Sequence, residues 1–177
     1  AMGREKQVMT TEADLLRLLA KRHDPSAWAF LRHVADGTGG HKSRTLDAVA
    51  MSLWPSRGLH LHGFEIKVYR GDWQRELKNP AKADGWAQHC HFFWVAAPDG
   101  VVQPEEVPQT WGWLVSDGKK LKVAKQAVLQ EAPPLPWVRL AALLRGVAKG
   151  QEDMIPKSEI AAELAAARET LRKRVEE

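Results

Sequence analysis

Alternating apolar and polar positions predict a helix and then three strands in the first part of the chain. A capping-box pattern at Thr11 precedes leucines spaced for one helix face, which predicts a helix over about 11–22. Three strand-length runs follow at 28–34, 44–53 and 60–69, with glycine- and proline-rich turns between them. The first run also fits a short helix, but the turn after it favours a strand. We therefore expect an antiparallel meander.

The pattern changes after the third strand. Asp72 can cap a helix that reaches Trp86. Residues 91–97 form a continuous apolar run, which is typical of a buried central strand. Two shorter strand candidates, 111–116 and 120–124, flank an Asp-Gly turn whose lysines fit a hairpin tip.

A proline-rich break at 133–136 is the strongest domain boundary in the chain. It divides a domain over 10–132 from an extension over 133–177, which consists of a proline-containing linker and helices. After Pro156 a thin apolar stripe follows a helix otherwise made of charged residues and alanine. So narrow a stripe buries too little surface to fold alone, so this helix should dock on the domain or pair with a second copy in a homodimer.

The third strand carries the most informative polar pattern. A period of two places Glu65 and Lys67 on one face and Phe64 and Ile66 on the other. Asp47 lies on the preceding predicted strand, eighteen positions before Glu65. Carboxylates on adjacent strands, with a lysine beside them, would form a hard-oxygen site for Mg²⁺ or Mn²⁺. A metal-dependent phosphodiesterase requires this combination.

The order of helix, three strands, helix and strand, with Asp47 and Glu65-x-Lys67 at these positions, resembles the PD-(D/E)XK nuclease superfamily. Leu46 stands where the superfamily pattern has proline. The similarity covers roughly 10–130 and is closest to a small-nuclease branch of bacterial genomes and phages. Further matching segments are Arg44 to Ala48, Leu53 to Gly58, Asp72-Trp73, Glu76 to Lys78, Pro80-x-Lys82-Ala83 and Pro108-x-x-Trp111-Gly112.

This resemblance implies an α/β fold, with a restriction-endonuclease-like αβββαβ core, a central mixed sheet and a C-terminal helical extension. It implies a Mg²⁺- or Mn²⁺-dependent DNA endonuclease, in which Asp47, Glu65 and the backbone carbonyl of Ile66 hold the cation. Lys67 would orient the attacking water or help to deprotonate it. Related enzymes often add a glutamate from the first helix, for which Glu12 is the candidate, although Glu12 also suits helix capping. The alternative is a non-catalytic nucleic-acid-binding or interaction module on the same fold.

The charge balance favours a polyanionic partner. The formal net charge is +4 and the sequence pI is about 9.3, and together with the resemblance this points to DNA. Some of the basic residues could equally form a solvated face. The candidate phosphate contacts are Arg44, Arg57, Arg70, Arg75, Lys78 and Lys82.

The histidines offer a competing site. His60-x-His62 and His89-Cys90-His91 could hold zinc, although they lack the spacing of zinc fingers. Cys90 and His91 more simply begin the buried fourth strand. One cysteine excludes an intramolecular disulfide and fits a reducing cytoplasm. No apolar run reaches the ~20 residues of a membrane span, and most of the tryptophans are expected to pack in the core.

Overall fold

The fold is α/β, built on a six-stranded mixed sheet whose strands lie side by side in chain order. The computed structural model describes residues 10–41, 44–78 and 85–153. The strands are β1 (Trp28–Ala35), β2 (Thr45–Ser52), β3 (Leu61–Ile66), β4 (Phe92–Pro98), β5 (Gly112–Ser116) and β6 (Leu121–Lys125). The longer helices are α1 (Glu12–Arg22), α2 (Arg70–Leu77) and α3 (Trp137–Asp153), and residues 85–87 are also helical.

The strand directions confirm the predicted meander. β1 pairs with β2 and β2 with β3 in antiparallel fashion, and β4 is parallel to both β3 and β5. The parallel β3–β4 pair requires a crossover, and α2 lies in that connection. β5 and β6 form an antiparallel hairpin around Asp117 and Gly118, as the sequence predicted. β4 lies between two strands and is almost wholly buried, which confirms it as a central strand.

Helix α1 covers one face of this sheet. Thr11 and Asp14 form the predicted capping box, in which the Asp14 carboxylate accepts from the Thr11 backbone N–H at 2.9 Å. Leu15, Leu16 and Leu19 of α1 are buried together with Phe64 and Ile66, in a hydrophobic cluster that also contains Trp94 and Leu114. Phe64 and Ile66 therefore share one face of the sheet, as the period of two predicted, and that face packs against α1.

The helix after β3 begins earlier than the sequence predicted. Tyr69 occupies the N-cap position, and Asp72 lies in the first turn of α2, where its carboxylate favours the helix N-terminus. The prediction of Asp72 as the cap was wrong because β3 ends at Ile66 rather than Tyr69. α2 ends at Leu77, before the predicted end, and residues 79–84, including Lys82, lie outside the described ranges.

The C-terminal part is described as far as Asp153. α3 begins at Trp137, directly after the proline-rich break, and the described residues up to Leu143 belong to one compact unit. The apolar stripe after Pro156, and the homodimer predicted from it, lie outside the described residues. In the part of the chain that the structure describes, no helix is both long enough and apolar enough to cross a membrane.

Candidate functional site

Asp47 and Glu65 lie at the point where the β2–β3 ladder ends. The last pair in the ladder is Ala48 with Phe64, so the next position places Asp47 opposite Glu65. At this position a side chain provides the hydrogen bond between the two strands, because Asp47 Oδ2 accepts from the Ile66 backbone N–H at 2.6 Å. The two predicted carboxylates therefore belong to facing positions of adjacent strands.

Lys67 is held beside Glu65 by backbone and side-chain contacts. Its N–H donates to the carbonyl of Ala96, which extends the β3–β4 pairing beyond Ile66. Its Nζ lies 2.9 Å from Glu65 Oε2 and 3.1 Å from Glu76 Oε2, and all three side chains are largely buried. Glu76 comes from α2, and sequence reasoning assigned it no role.

The protonation of these groups reflects their burial and their mutual repulsion. The pKa of Glu65 is raised to about 7, mainly by burial, with Lys67 opposing the shift and the nearby Asp47 carboxylate adding to it. Burial also raises the pKa of Asp47, although the Ile66 N–H opposes this. Burial alone would lower the pKa of Lys67, but Glu65 and Glu76 outweigh it and raise that pKa to about 12. Lys67 is thus protonated at neutral pH. The destabilising effect of burial falls on the charged forms of Asp47 and Glu65, whose pKa values are raised.

Glu12 and His33 join Asp47 at the outer side of this site. One ligand atom from each of the three residues lies within 4.8 Å of the others. Glu12 is the first residue of α1, and the capping interpretation of Glu12 was wrong because Thr11 and Asp14 form the cap. The structure therefore brings the glutamate of the first helix to Asp47.

His33 is a further residue at this site to which sequence reasoning assigned no role. It has a φ of +49° within β1, a left-handed conformation that is uncommon outside glycine. This reverses the strand alternation, since Leu31 and Val34 both pack in the same hydrophobic cluster although they are three positions apart. His33 Nδ1 consequently lies 3.8 Å from Glu12 Oε1. No pattern of apolar residues indicates such a reversal.

The predicted phosphate contacts differ in their ion pairs and in the exposure of their side chains. Arg70 pairs with Glu106 and donates to the Val101 carbonyl, while Glu106 also accepts from the Trp73 indole N–H. Arg75 is exposed and pairs with Asp72 of the same helix turn. Three others have exposed side chains: Arg44, Arg57 and Lys78.

One histidine of each alternative zinc pair has a structural hydrogen-bond partner instead. His62 Nδ1 accepts from the Trp94 indole N–H at 3.2 Å, and His91 Nδ1 accepts from the Leu61 N–H at 3.0 Å. Cys90 is a buried free thiol. Within the described ranges, neither histidine pair belongs to a group of three or more potential metal ligands.

The chain matches no protein-family model and no curated protein. Among solved structures it is similar to a protein of unknown function from Silicibacter pomeroyi, with a TM-score of 0.57 and 20% sequence identity. The match covers 79% of this chain and 86% of that one. At this identity the similarity extends to the fold alone.

Proposed function

We propose that this protein is a divalent-metal-dependent DNA endonuclease with a PD-(D/E)XK-type αβββαβ core. The observation that carries the proposal is the pair of facing carboxylates, Asp47 and Glu65, with Lys67 on the same face. The order α1-β1-β2-β3-α2-β4, with β4 parallel to β3, supports the core.

The residues present fit a divalent cation. Burial is the main cause of the raised pKa values of Asp47 and Glu65, and the Asp47 carboxylate adds to the shift of Glu65. A nearby cation would stabilise the charged forms of both carboxylates. Opposite ligands of Mg²⁺ lie ~4.2 Å apart, since each bond is about 2.1 Å. The 4.8 Å limit among the ligand atoms of Glu12, His33 and Asp47 is close to that spacing.

His33 adds a nitrogen ligand to an otherwise oxygen-rich set. Imidazole suits the later first-row metals better than Mg²⁺, whereas carboxylates accept both Mg²⁺ and Mn²⁺. A site containing His33 and Asp47 should therefore favour Mn²⁺. Of the two ions that the sequence predicts, Mn²⁺ is the better fit.

The bound cation and the side chains around it would each have a separate role in hydrolysis. A bound cation would polarise the scissile phosphate and lower the pKa of the attacking water. Lys67 would donate a hydrogen bond to that water or to a phosphate oxygen, and its pKa of about 12 makes it a poor base. Glu76 would hold the ammonium from the helix side when Glu65 is engaged with the cation.

The experiment incubates labelled duplex and single-stranded DNA and RNA with the protein in Mg²⁺, Mn²⁺ or EDTA. We expect DNA cleavage in Mn²⁺, less in Mg²⁺ and none in EDTA. Asp47→Ala and Lys67→Ala should abolish it, while Glu105→Gln, an exposed carboxylate change, serves as the control. Cleavage by Asp47→Ala at the wild-type rate would refute the site.

A DNA-binding measurement in Ca²⁺, made beside the cleavage assay, tests the non-catalytic alternative. DNA binding in Ca²⁺, without cleavage by the wild-type protein in either Mg²⁺ or Mn²⁺, would identify a binding module rather than an enzyme. His33→Gln separates the role of the nitrogen ligand, since it should lower the ratio of Mn²⁺- to Mg²⁺-supported cleavage.

A further inference from the structure

The single tyrosine of the chain lies two positions after Lys67. Tyr69 is 58% exposed, whereas Glu65 and Lys67 are largely buried. Within the described ranges, no aromatic or charged side chain stacks on the ring of Tyr69, and none bonds to its hydroxyl. An open aromatic ring therefore follows the proposed catalytic lysine directly along the chain.

Strand alternation places Tyr69 on the side of the sheet that carries the metal site. Beyond the end of β3, the Lys67 N–H still donates to the Ala96 carbonyl at 3.0 Å, so the chain remains paired with β4. Val68 packs against the hydrophobic cluster of α1, and Tyr69 is extended, with φ of −121° and ψ of 142°. Because alternate residues of an extended segment share a face, Tyr69 lies on the side of Glu65 and Lys67. Its Cα is ~7 Å from that of Lys67.

The backbone of Tyr69 is held in place by α2. Its carbonyl accepts from the Asp72 N–H at 3.1 Å and from the Trp73 N–H at 3.3 Å. Trp73 is buried in the hydrophobic cluster on this side of the sheet, so the start of α2 is fixed by core packing. A ligand that stacks on the ring would therefore order little backbone, and less of its binding free energy would be lost to conformational entropy.

The other exposed aromatic side chains of the described ranges differ from Tyr69 in their position. They are Trp54 and Trp137. The Trp54 indole N–H donates to the Ser26 carbonyl at 3.0 Å, and Trp54 follows the end of β2 that is remote from Asp47. Trp137 begins α3. Of the three, Tyr69 is the one that follows a residue of the metal site on the same strand.

We propose that Tyr69 stacks on an unpaired base of the DNA strand held at the metal site, so that the substrate is single-stranded DNA or an unpaired flap rather than continuous duplex. This inference rests on the proposed function and adds the form of its substrate. In a duplex each base is stacked between its neighbours, whereas an unpaired base can turn onto an aromatic ring. Stacking does not read the edge of a base, so sequence preference at this position should be weak.

The test measures the dissociation constants of single-stranded and blunt duplex DNA in Ca²⁺ and, in parallel, their cleavage in Mn²⁺. The wild type should bind and cleave the single strand in preference to the duplex. Tyr69→Ala should weaken single-strand binding about tenfold and leave duplex binding unchanged. Tyr69→Phe should bind as the wild type does, because the ring stacks and the hydroxyl does not. Both variants should fold, since the exposed side chain makes no capping hydrogen bond to α2.

Single strands with one abasic site locate the stacked nucleotide. Moving the abasic site along the strand should weaken wild-type binding at a position within about two nucleotides of the cleaved bond, since ~7 Å corresponds to about two steps of 3.4 Å. With that strand, Tyr69→Ala should cause no further loss, because the base and the ring belong to one contact. Trp137→Ala removes an exposed aromatic ring elsewhere and should bind every strand as the wild type does.

The proposal is overturned if Tyr69→Ala binds single strands normally, if it loses equal affinity for single strand and duplex, or if Tyr69→Phe loses as much as Tyr69→Ala. Equal affinity of the wild type for both forms, or no single-strand binding at about 1 mM, would overturn it as well. A wild type that binds single strands through Tyr69 in Ca²⁺ but cleaves no DNA in Mn²⁺ would refute the endonuclease and leave the stacking contact in place.

Discussion

The pKa values of buried side chains are shifted in opposite directions near the two ends of α1. At the N-terminal end, Asp47 and Glu65 are carboxylates whose pKa values are raised mainly by burial. At the C-terminal end, the buried histidines His23 and His62 have lowered pKa values and are hydrogen-bonded in their neutral forms. The first end carries negative charge that the fold does not fully compensate, and the second carries almost none inside.

This difference shows what each end can bind. Buried carboxylates that repel each other gain free energy from a cation, so the first end is suited to a metal. Neutral imidazoles that are hydrogen-bonded and packed among aromatic rings gain little from an ion.

The largest expected effect is on cleavage. Glu65→Gln should reduce DNA cleavage in Mn²⁺ by more than ~100-fold, beyond the usual loss for a residue that only supports a metal site. Its melting temperature in EDTA should equal or exceed that of the wild type, because one repelling carboxylate is gone. A variant that cleaves normally, or one that unfolds in EDTA, would contradict the assignment.

The second effect distinguishes a packing residue of α1 from a proposed metal ligand on the same helix. Leu15 is fully buried, so Leu15→Ala should lower the free energy of unfolding by ~2–5 kcal/mol. Glu12→Gln, on the exposed first turn, should change it by less than ~0.5 kcal/mol and should weaken Mn²⁺ binding. Urea denaturation measures the free energy of unfolding, and metal titration measures Mn²⁺ binding. If the two variants lost equal stability, Glu12 would be a packing residue like Leu15.

The third effect is an opposite pH response of the two ends. As the pH falls from 6.5 towards 3, the unfolded chain protonates His62 before the folded chain does, so the stability falls. As the pH rises from 4.5 to about 7 in EDTA, the unfolded chain loses the Glu65 proton first, so the stability also falls. Each group contributes a slope of up to ~1.4 kcal/mol per pH unit.

Matched variants assign these two slopes in urea denaturation across pH. His62→Gln should flatten the acid side of the profile, and Glu65→Gln should flatten the side that approaches neutral pH. An unchanged profile in either variant would show that another group titrates there.

The smallest effect concerns DNA affinity. Neutralising an exposed phosphate contact should lower the log–log salt slope of binding by about one unit, so we expect this for Arg57→Ala and Lys78→Ala in Ca²⁺. Arg70→Ala should change the slope less, because Glu106 already compensates its charge. If all three variants keep the wild-type slope, these residues form an ordinary solvated face.

Local patterns predicted a large part of the site. The alternation on β3 was sufficient to place Glu65 and Lys67 on one face of the sheet and Phe64 and Ile66 on the other, because strand periodicity depends only on neighbouring residues. The capping box at Thr11 located the start of α1 for the same reason.

What the sequence did not predict depends on contacts between distant segments. The position of Glu76 beside Lys67 requires α2 to pack on the sheet. That of His33 requires a reversal of the strand backbone. The hydrogen bond from the Trp94 indole to His62 joins neighbouring parallel strands that are far apart in sequence. None of these arrangements has a periodic signal in the chain.

The close approach of Gly112 to Trp94 has an evolutionary consequence. A Cβ at position 112 would overlap the indole ring, and its own backbone does not require glycine, since its φ is not positive. The size of one residue therefore limits the size of the other across the β4–β5 pair. Among related sequences, we expect the two positions to covary, with larger residues at 112 only where 94 has lost its tryptophan.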